Sequence, residues 1–165
     1  MAASPKKQLA LDANLLLDLA EGRGFAHDFK EEFQARGYEF LLPPTAAAEL
    51  NILSIHGGEP QKTFANQALL KLRAWKCQPF LLSDTKLAIA EQFRRPLSEL
   101  QLIPDEERDD GLILAETSLG NILLLVTSDK HLLDIDEDAL RLAFVEADLL
   151  PVHPVHPKRL LKALR

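Results

Sequence analysis

Residues 109–133 read DDGLILAETSLGNILLLVTSDKHLL, and two different periodicities meet inside them. Ile113 and Leu114 follow Asp110 by three and four positions, the spacing of one helix face. Gly120 falls where that helix should end. Five apolar residues, 122–126, then run without interruption to Thr127, Ser128 and Asp129. So short a run bounded by polar residues predicts a buried strand. A helix, a tight turn and a buried strand that ends on an acid make the repeating unit of an α/β fold.

The same alternation extends in both directions. QLAL at 8–11 predicts a short buried strand ending at Asp12. Leu15, Leu16, Leu19 and Ala20 continue it as a helix that stops at Glu21-Gly22. Phe25, Phe29 and Phe33 recur at spacing four, predicting an amphipathic helix terminated by Gly37. YEFLL predicts a second strand. Pro43-Pro44-Thr45 punctuates it, with Thr45 as the expected cap of the helix AAAELNIL, which Gly57-Gly58 closes. Residues 60–75 predict another amphipathic helix, QPFLLS a weak strand, and TKLAIAEQF a helix capped by Ser83 or Asp84. Residues 96–104 read as a connecting loop with some helical content. EERDDGLILAETSL reads as a helix whose start, with Asp105, Glu106, Glu107 and Asp109, is solvated. LRLAFVEA reads as a further strand, PVHPVHP as an extended turn, and KRLLKAL as a last helix. The expected architecture is one domain, residues 1–165 with 1–6 flexible, built on a parallel sheet with helices on both faces.

Composition narrows the functional classes. The 165 residues are 47% apolar and 27% charged, which suits one globular domain. With 25 acids against 19 bases the net charge is −6, so a whole-surface basic footprint for passive nucleic-acid binding is absent. The bases gather locally at Lys71, Arg73 and Lys76, and at Lys158, Arg159, Lys162 and Arg165, as solvated helix faces or a rim that guides phosphates. Cys77 is the single cysteine and is expected to be a buried apolar group. MAASPKKQ lacks the apolar core of a signal peptide, and no run approaches the ~18 residues of a membrane span. A cytoplasmic protein is expected.

Four carboxylates stand beside apolar runs: Asp12 in LALDANLLLDL, Glu49 in LLPPTAAAEL, Asp110 in DDGLILAET and Asp129 in ILLLVTSDKHLL. Such acids are costly to ionise unless a cation or hydrogen bonds compensate them. In parallel sheets ligands bind beyond the carboxyl ends of the strands, where Asp12 and Asp129 would both emerge. Each acid also has a plainer reading. Asp12 and Asp129 are good helix caps, and Glu49 suits the first turns of a helix. Asp110 lies on the core-facing side of its helix, which acids usually avoid.

Taken together, in this order, these segments resemble the PIN-domain nucleases, especially the VapC-like toxins of bacterial toxin–antitoxin pairs. The resemblance spans about residues 7–157. It implies a three-layer α/β/α fold with a central parallel sheet of four or five strands. It implies that Asp12, Glu49, Asp110 and Asp129 are catalytic acids that hold Mg²⁺ or Mn²⁺. Asp110 is preferred to Asp109 because the family's acid stands three before the Ile and five before the Ala, here Ile113 and Ala115. Asn14 and Thr127 are implied as supporting hydrogen-bonding residues. The implied activity is hydrolysis of RNA phosphodiester bonds, leaving 5′-phosphate and 3′-hydroxyl ends. The implied partners are an RNA substrate, a small antitoxin protein and a second copy of the chain. The apolar helices around residues 25–33 or 63–75 are the candidate docking faces. Residues 77–104 exceed the compact members of the family.

Other readings have less support. An acid-pocket phosphatase needs Asp-x-Asp after the first strand, and Asn14 stands at the second position. A catalytically silent PIN-like interaction module would have no reason to keep four acids. His153 and His156 are spaced as ligands, but the flanking prolines argue for a turn; His131 reads as a surface histidine. Trp75 and Tyr38 offer little stacking surface for single strands, and no phosphate-cradling glycine loop is present.

Overall fold

The computed structural model describes residues 7–104 and 108–164, with the Arg108 side chain excepted. Residues 1–6, the helix-start acids Asp105, Glu106 and Glu107, and Arg165 of the basic tail lie outside the described residues. In chain order the elements are β1 (Gln8–Leu11), α1 (Ala13–Glu21), α2 (Gly24–Ala35), β2 (Glu39–Leu42), α3 (Pro44–His56), α4 (Gln61–Lys71) and β3 (Cys77–Pro79). They continue with α5 (Asp84–Glu99), α6 (Arg108–Leu119), β4 (Leu124–Val126), α7 (Lys130–Leu133), α8 (Glu137–Glu146), β5 (His153–Val155) and α9 (Pro157–Ala163). The five strands form one all-parallel sheet in the order β3-β2-β1-β4-β5.

That order follows from the connections. Right-handed crossovers carry the chain outward from β1 to β2 to β3, with α1–α4 on one face. The chain then returns past β1, and α5–α8 cover the other face. Packing agrees with this: α1 meets α2 and α4, α3 meets α4, and α5 meets α6 and α8. The direction of winding therefore reverses between β1 and β4. The central strands are the apolar ones, with Leu9, Ala10, Leu11, Leu125 and Val126 all buried. Prolines stand on the two edge strands, Pro79 in β3 and Pro154 in β5, where a missing N–H interrupts no ladder.

The expected strand at LRLAFVEA is helix α8. Asp136 caps it by accepting the Ala139 N–H at 2.8 Å, and Glu137 and Asp138 occupy its first turn. Leu140, Ala143 and Phe144 are buried while Leu142 and Val145 are more than half exposed, so its period is helical. PVHPVHP, expected as a turn, contains β5: His153 N–H donates to the Leu123 carbonyl and Thr127 N–H to the Val155 carbonyl. The expected loop at 96–104 begins as helix, because α5 continues through Pro96 to Glu99 and buries Phe93 and Leu97 on one face. Thr45 does not cap α3. The N-cap is Pro43, with no side-chain bond, and Thr45 lies inside the helix. Ser83 is the cap of α5.

Gly120 follows α6 as expected, but the left-handed residue of that turn is Asn121 (φ 61°). Gly120 answers a packing need instead: a Cβ there would lie 3.1 Å from the Phe80 ring. On α2, Phe29 and Phe33 are buried, with the Phe29 ring stacked on Phe40 at 5.3 Å, so this helix face belongs to the core and is not a docking surface. In the 63–75 segment Ala65, Ala68 and Trp75 are buried, whereas Leu70 is 84% exposed.

Phe29→Ala should therefore lower unfolding free energy by about 3–5 kcal/mol in urea denaturation, as for other large core truncations. Leu70→Lys should change it by no more than about 0.5 kcal/mol. Equal effects would contradict this assignment of core and surface.

Candidate active site at the seam between the central strands

The reversal of winding places a crevice beyond the carboxyl ends of β1 and β4, where open parallel sheets bind ligands. Asp12 is the first residue after β1. Its N–H donates to the carbonyl of Val126, the last residue of β4, at 3.0 Å, so its backbone is tied to the seam. Its side chain accepts two hydrogen bonds, from the Ala13 N–H at 2.8 Å and from the Thr127 hydroxyl at 2.7 Å. Thr127 is fully buried, and its hydroxyl oxygen accepts the Asp129 N–H at 2.9 Å. Asp129 in turn caps α7 by accepting the His131 N–H at 2.9 Å. Both acids are thus helix caps, and one threonine links them.

Asp12 is 2% exposed. Burial is the main force that pushes its pKa up to about 6, with the charges of Asp129 and Asp18 adding to it. The bonds from Thr127 and Ala13 oppose that rise. Asp18, on the next turns of α1, is drawn to the same edge. It accepts the Ser128 hydroxyl at 2.6 Å and faces Arg23 at 3.5 Å, and burial raises its pKa. His156, just after β5, feels the Asp18 charge; burial, with Lys158 second, lowers its pKa. Asp18 and Ser128 were not singled out from sequence. Their signal was present in the register of TSD beside DANLLLD.

Asp110 is buried on α6, whereas Asp109 is exposed. Glu49 is half-buried on α3 and Asn14 half-buried at the start of α1. Among the described residues no three His, Cys, Asp or Glu side chains gather closely enough to hold one metal ion. The structure joins Asp12 to Asp129 and does not draw Glu49 and Asp110 into one cluster with them. Like charges without a cation between them repel, so convergence of four carboxylates would be unfavourable. The oxygen donors nonetheless suit a hard cation. Mg²⁺ keeps several waters and needs only one or two protein carboxylates, and Asp12 is an acid whose charge is poorly compensated by the protein alone.

A third buried carboxylate, beside Asp12 and Asp110, was not singled out from sequence. Glu116, on α6, is 3% exposed and accepts both the Thr45 N–H at 2.8 Å and the Thr45 hydroxyl at 2.7 Å. Its pKa is raised by burial and lowered by those two bonds.

No protein-family model matches the chain, and no curated protein matches it in sequence. Solved structures do. The chain is similar to VapBC2 from Rickettsia felis, solved bound to a DNA fragment from its promoter (TM-score 0.60, 14% identity, covering 90% of this chain and 98% of that one). It is similar to VapBC-1 from nontypeable Haemophilus influenzae (TM-score 0.58, 13% identity, 92% and 98% covered). It is also similar to FitAcB from Neisseria gonorrhoeae (TM-score 0.54, 17% identity, 90% and 97% covered). At these identities the likeness shows the fold, a PIN-like α/β/α sandwich, as the sequence resemblance implied.

Ionised Asp12 destabilises the metal-free protein. The folded chain holds this proton more tightly than the unfolded chain, so stability rises as pH falls from about 6 towards 3.8 and is penalised above about 6. The full penalty is at most about 3 kcal/mol. In chelator near pH 7.5, Asp12→Asn should raise the melting temperature by about 3 °C or more. The variant should also lose the part of the pH dependence between 4 and 6. A variant melting below the parent there would contradict the penalty.

Proposed function

We propose that this PIN-like protein is a metal-dependent endoribonuclease and the toxin of a toxin–antitoxin pair. The observation that carries the reading is the Asp12–Thr127–Asp129 chain at the switch point of the sheet. Asp12 and Asp129 are the principal holders of Mg²⁺ or Mn²⁺, with Glu49 and Asp110 completing the set. The bound ion would lower the pKa of a water and stabilise charge on the scissile phosphate. Thr127 fixes the Asp12 carboxylate by donating to Oδ2 and so orients it towards the crevice. Asn14 lies two residues beyond Asp12 and supports the same edge. Water attacks phosphorus in line and the 3′-oxygen leaves with a proton, giving 5′-phosphate and 3′-hydroxyl ends.

The likeness to VapBC and FitAB complexes supports a small antitoxin as partner. Exposed apolar residues on the α3–α4 pair, Ile52, Ile55 and Leu70, offer area for that partner or for a homodimer. A cytoplasmic site of action is part of this reading. No helix among the described residues is long and apolar enough to cross a membrane. A catalytically silent PIN-like module is the second reading, because no three potential ligands cluster among the described residues.

Purified protein should cleave RNA with Mn²⁺ or Mg²⁺ and stop in chelator. Asp12→Asn and Asp129→Asn should each reduce cleavage at least about 100-fold, since even residues that merely support metal ligands are worth 10–100-fold. Metal-dependent cleavage retained by both variants would sink the site. Calorimetry showing no Mn²⁺ binding by the parent would favour the silent module.

A further inference from the structure

Helix α3 begins without a cap of its own. Pro43 has no side chain able to accept, and Pro44 has no N–H. The Ala47 N–H reaches the Pro43 carbonyl at 3.0 Å, which leaves the Thr45 N–H among the orphan donors of the first turn. Glu116 takes it from 71 positions away, and its second oxygen takes the Thr45 hydroxyl. A buried carboxylate from α6 therefore serves as the cap of α3, with its charge at the positive end of that helix. Thr45 and Glu49 are four apart, so they share one face of α3. Asp110 is carried by the same helix as Glu116. One bidentate contact thus fixes the start of the helix bearing Glu49 against the helix bearing Asp110, and α3 and α6 pack together.

We propose that Glu116 is a positioning residue of the metal site, clamping α3 to α6 through Thr45 so that Glu49 and Asp110 are presented in fixed register. This rests on the nuclease reading above. Glu116 is assigned this role because its carboxylate is turned to Thr45, accepting from both the Thr45 N–H and the Thr45 hydroxyl.

The test compares Glu116→Ala, Glu116→Gln, Thr45→Val and Thr45→Ser. Gln can preserve the clamp: its oxygen accepts the Thr45 N–H and its amide donates to the hydroxyl oxygen. Mn²⁺ calorimetry, RNA cleavage kinetics and hydrogen exchange of the metal-free protein are measured on each folded variant. Glu116→Ala should weaken Mn²⁺ binding and lower kcat about tenfold or more, as loss of a residue behind a metal ligand does, with little change in KM. Exchange across the first turn of α3 should speed up. Glu116→Gln and Thr45→Ser should stay within about threefold of the parent, with Thr45→Val between the two groups. The proposal is overturned if folded Glu116→Ala keeps parental Mn²⁺ affinity and kcat, or if Glu116→Gln is as impaired as Glu116→Ala. If the parent binds Mn²⁺ but cleaves no RNA, the nuclease reading alone fails, and calorimetry still judges the clamp. If the parent binds no Mn²⁺, both fail, whatever exchange shows at α3. Should Glu116→Ala fail to fold, Thr45→Val against Thr45→Ser decides by the same readouts.

Discussion

The site depends on one hydroxyl group. Thr127 donates to Asp12 and accepts from the Asp129 backbone, so one buried oxygen sets the relation between two acids 117 residues apart in sequence. A rigid frame lies behind it. The Asp12 N–H is bonded to β4 and the Thr127 N–H to β5, so both candidate side chains begin where a ladder ends. Sites built on strand ends hold geometry better than sites on free loops. The sheet order makes this possible, because only at the β1–β4 seam do two crossovers depart in opposite directions and leave the crevice open.

Glu116 does between α6 and α3 what Thr127 does at the seam. Each buried polar group joins two elements far apart in the chain, and each is held by two hydrogen bonds. Such groups contribute specificity of arrangement more than raw stability, since a carboxylate in the core is unfavourable until its partners are in place. Apolar packing between the helix that carries Asp110 and the helix that carries Glu49 tolerates sliding. A bidentate contact does not.

Much of this was legible in the residues. QLAL gave β1 to the residue, because an apolar run flanked by polar groups has one interpretation at that length. The Phe25–Phe29–Phe33 spacing gave α2. The buried face of α6 followed from Ile113 and Leu114 beside Asp110. Other features required the third dimension. LRLAFVEA has apolar residues at 140, 142 and 144 and at 140, 143 and 144, so it satisfies both periods. The cap at Asp136 breaks the tie, and a cap looks the same in sequence as an ordinary loop acid. PVHPVHP forms β5 only because β4 supplies a partner edge. Glu116 was invisible as a buried acceptor because its neighbours in sequence are helix-forming and its partner, Thr45, lies 71 positions away.

Asp12 shows why this arrangement is better explained by function than by stability. A cap needs an acceptor, and Ser, Thr or Asn in that position would accept the Ala13 N–H without the burden of a buried charge. The chain instead places a carboxylate under almost complete burial, then adds the charges of Asp129 and Asp18 nearby. Each of these choices raises the free energy of the ionised protein in the absence of a counter-ion. The hydrogen bonds from Thr127 and Ala13 recover part of that loss, yet burial still dominates and the pKa stays near 6. Under the proposed metal-site reading, a cation would relieve that cost and bind the more tightly for it. The acidic net charge of the chain adds to the same field, so under the proposed nuclease reading a bound ion would have to precede the approach of a polyanionic strand to this edge of the sheet.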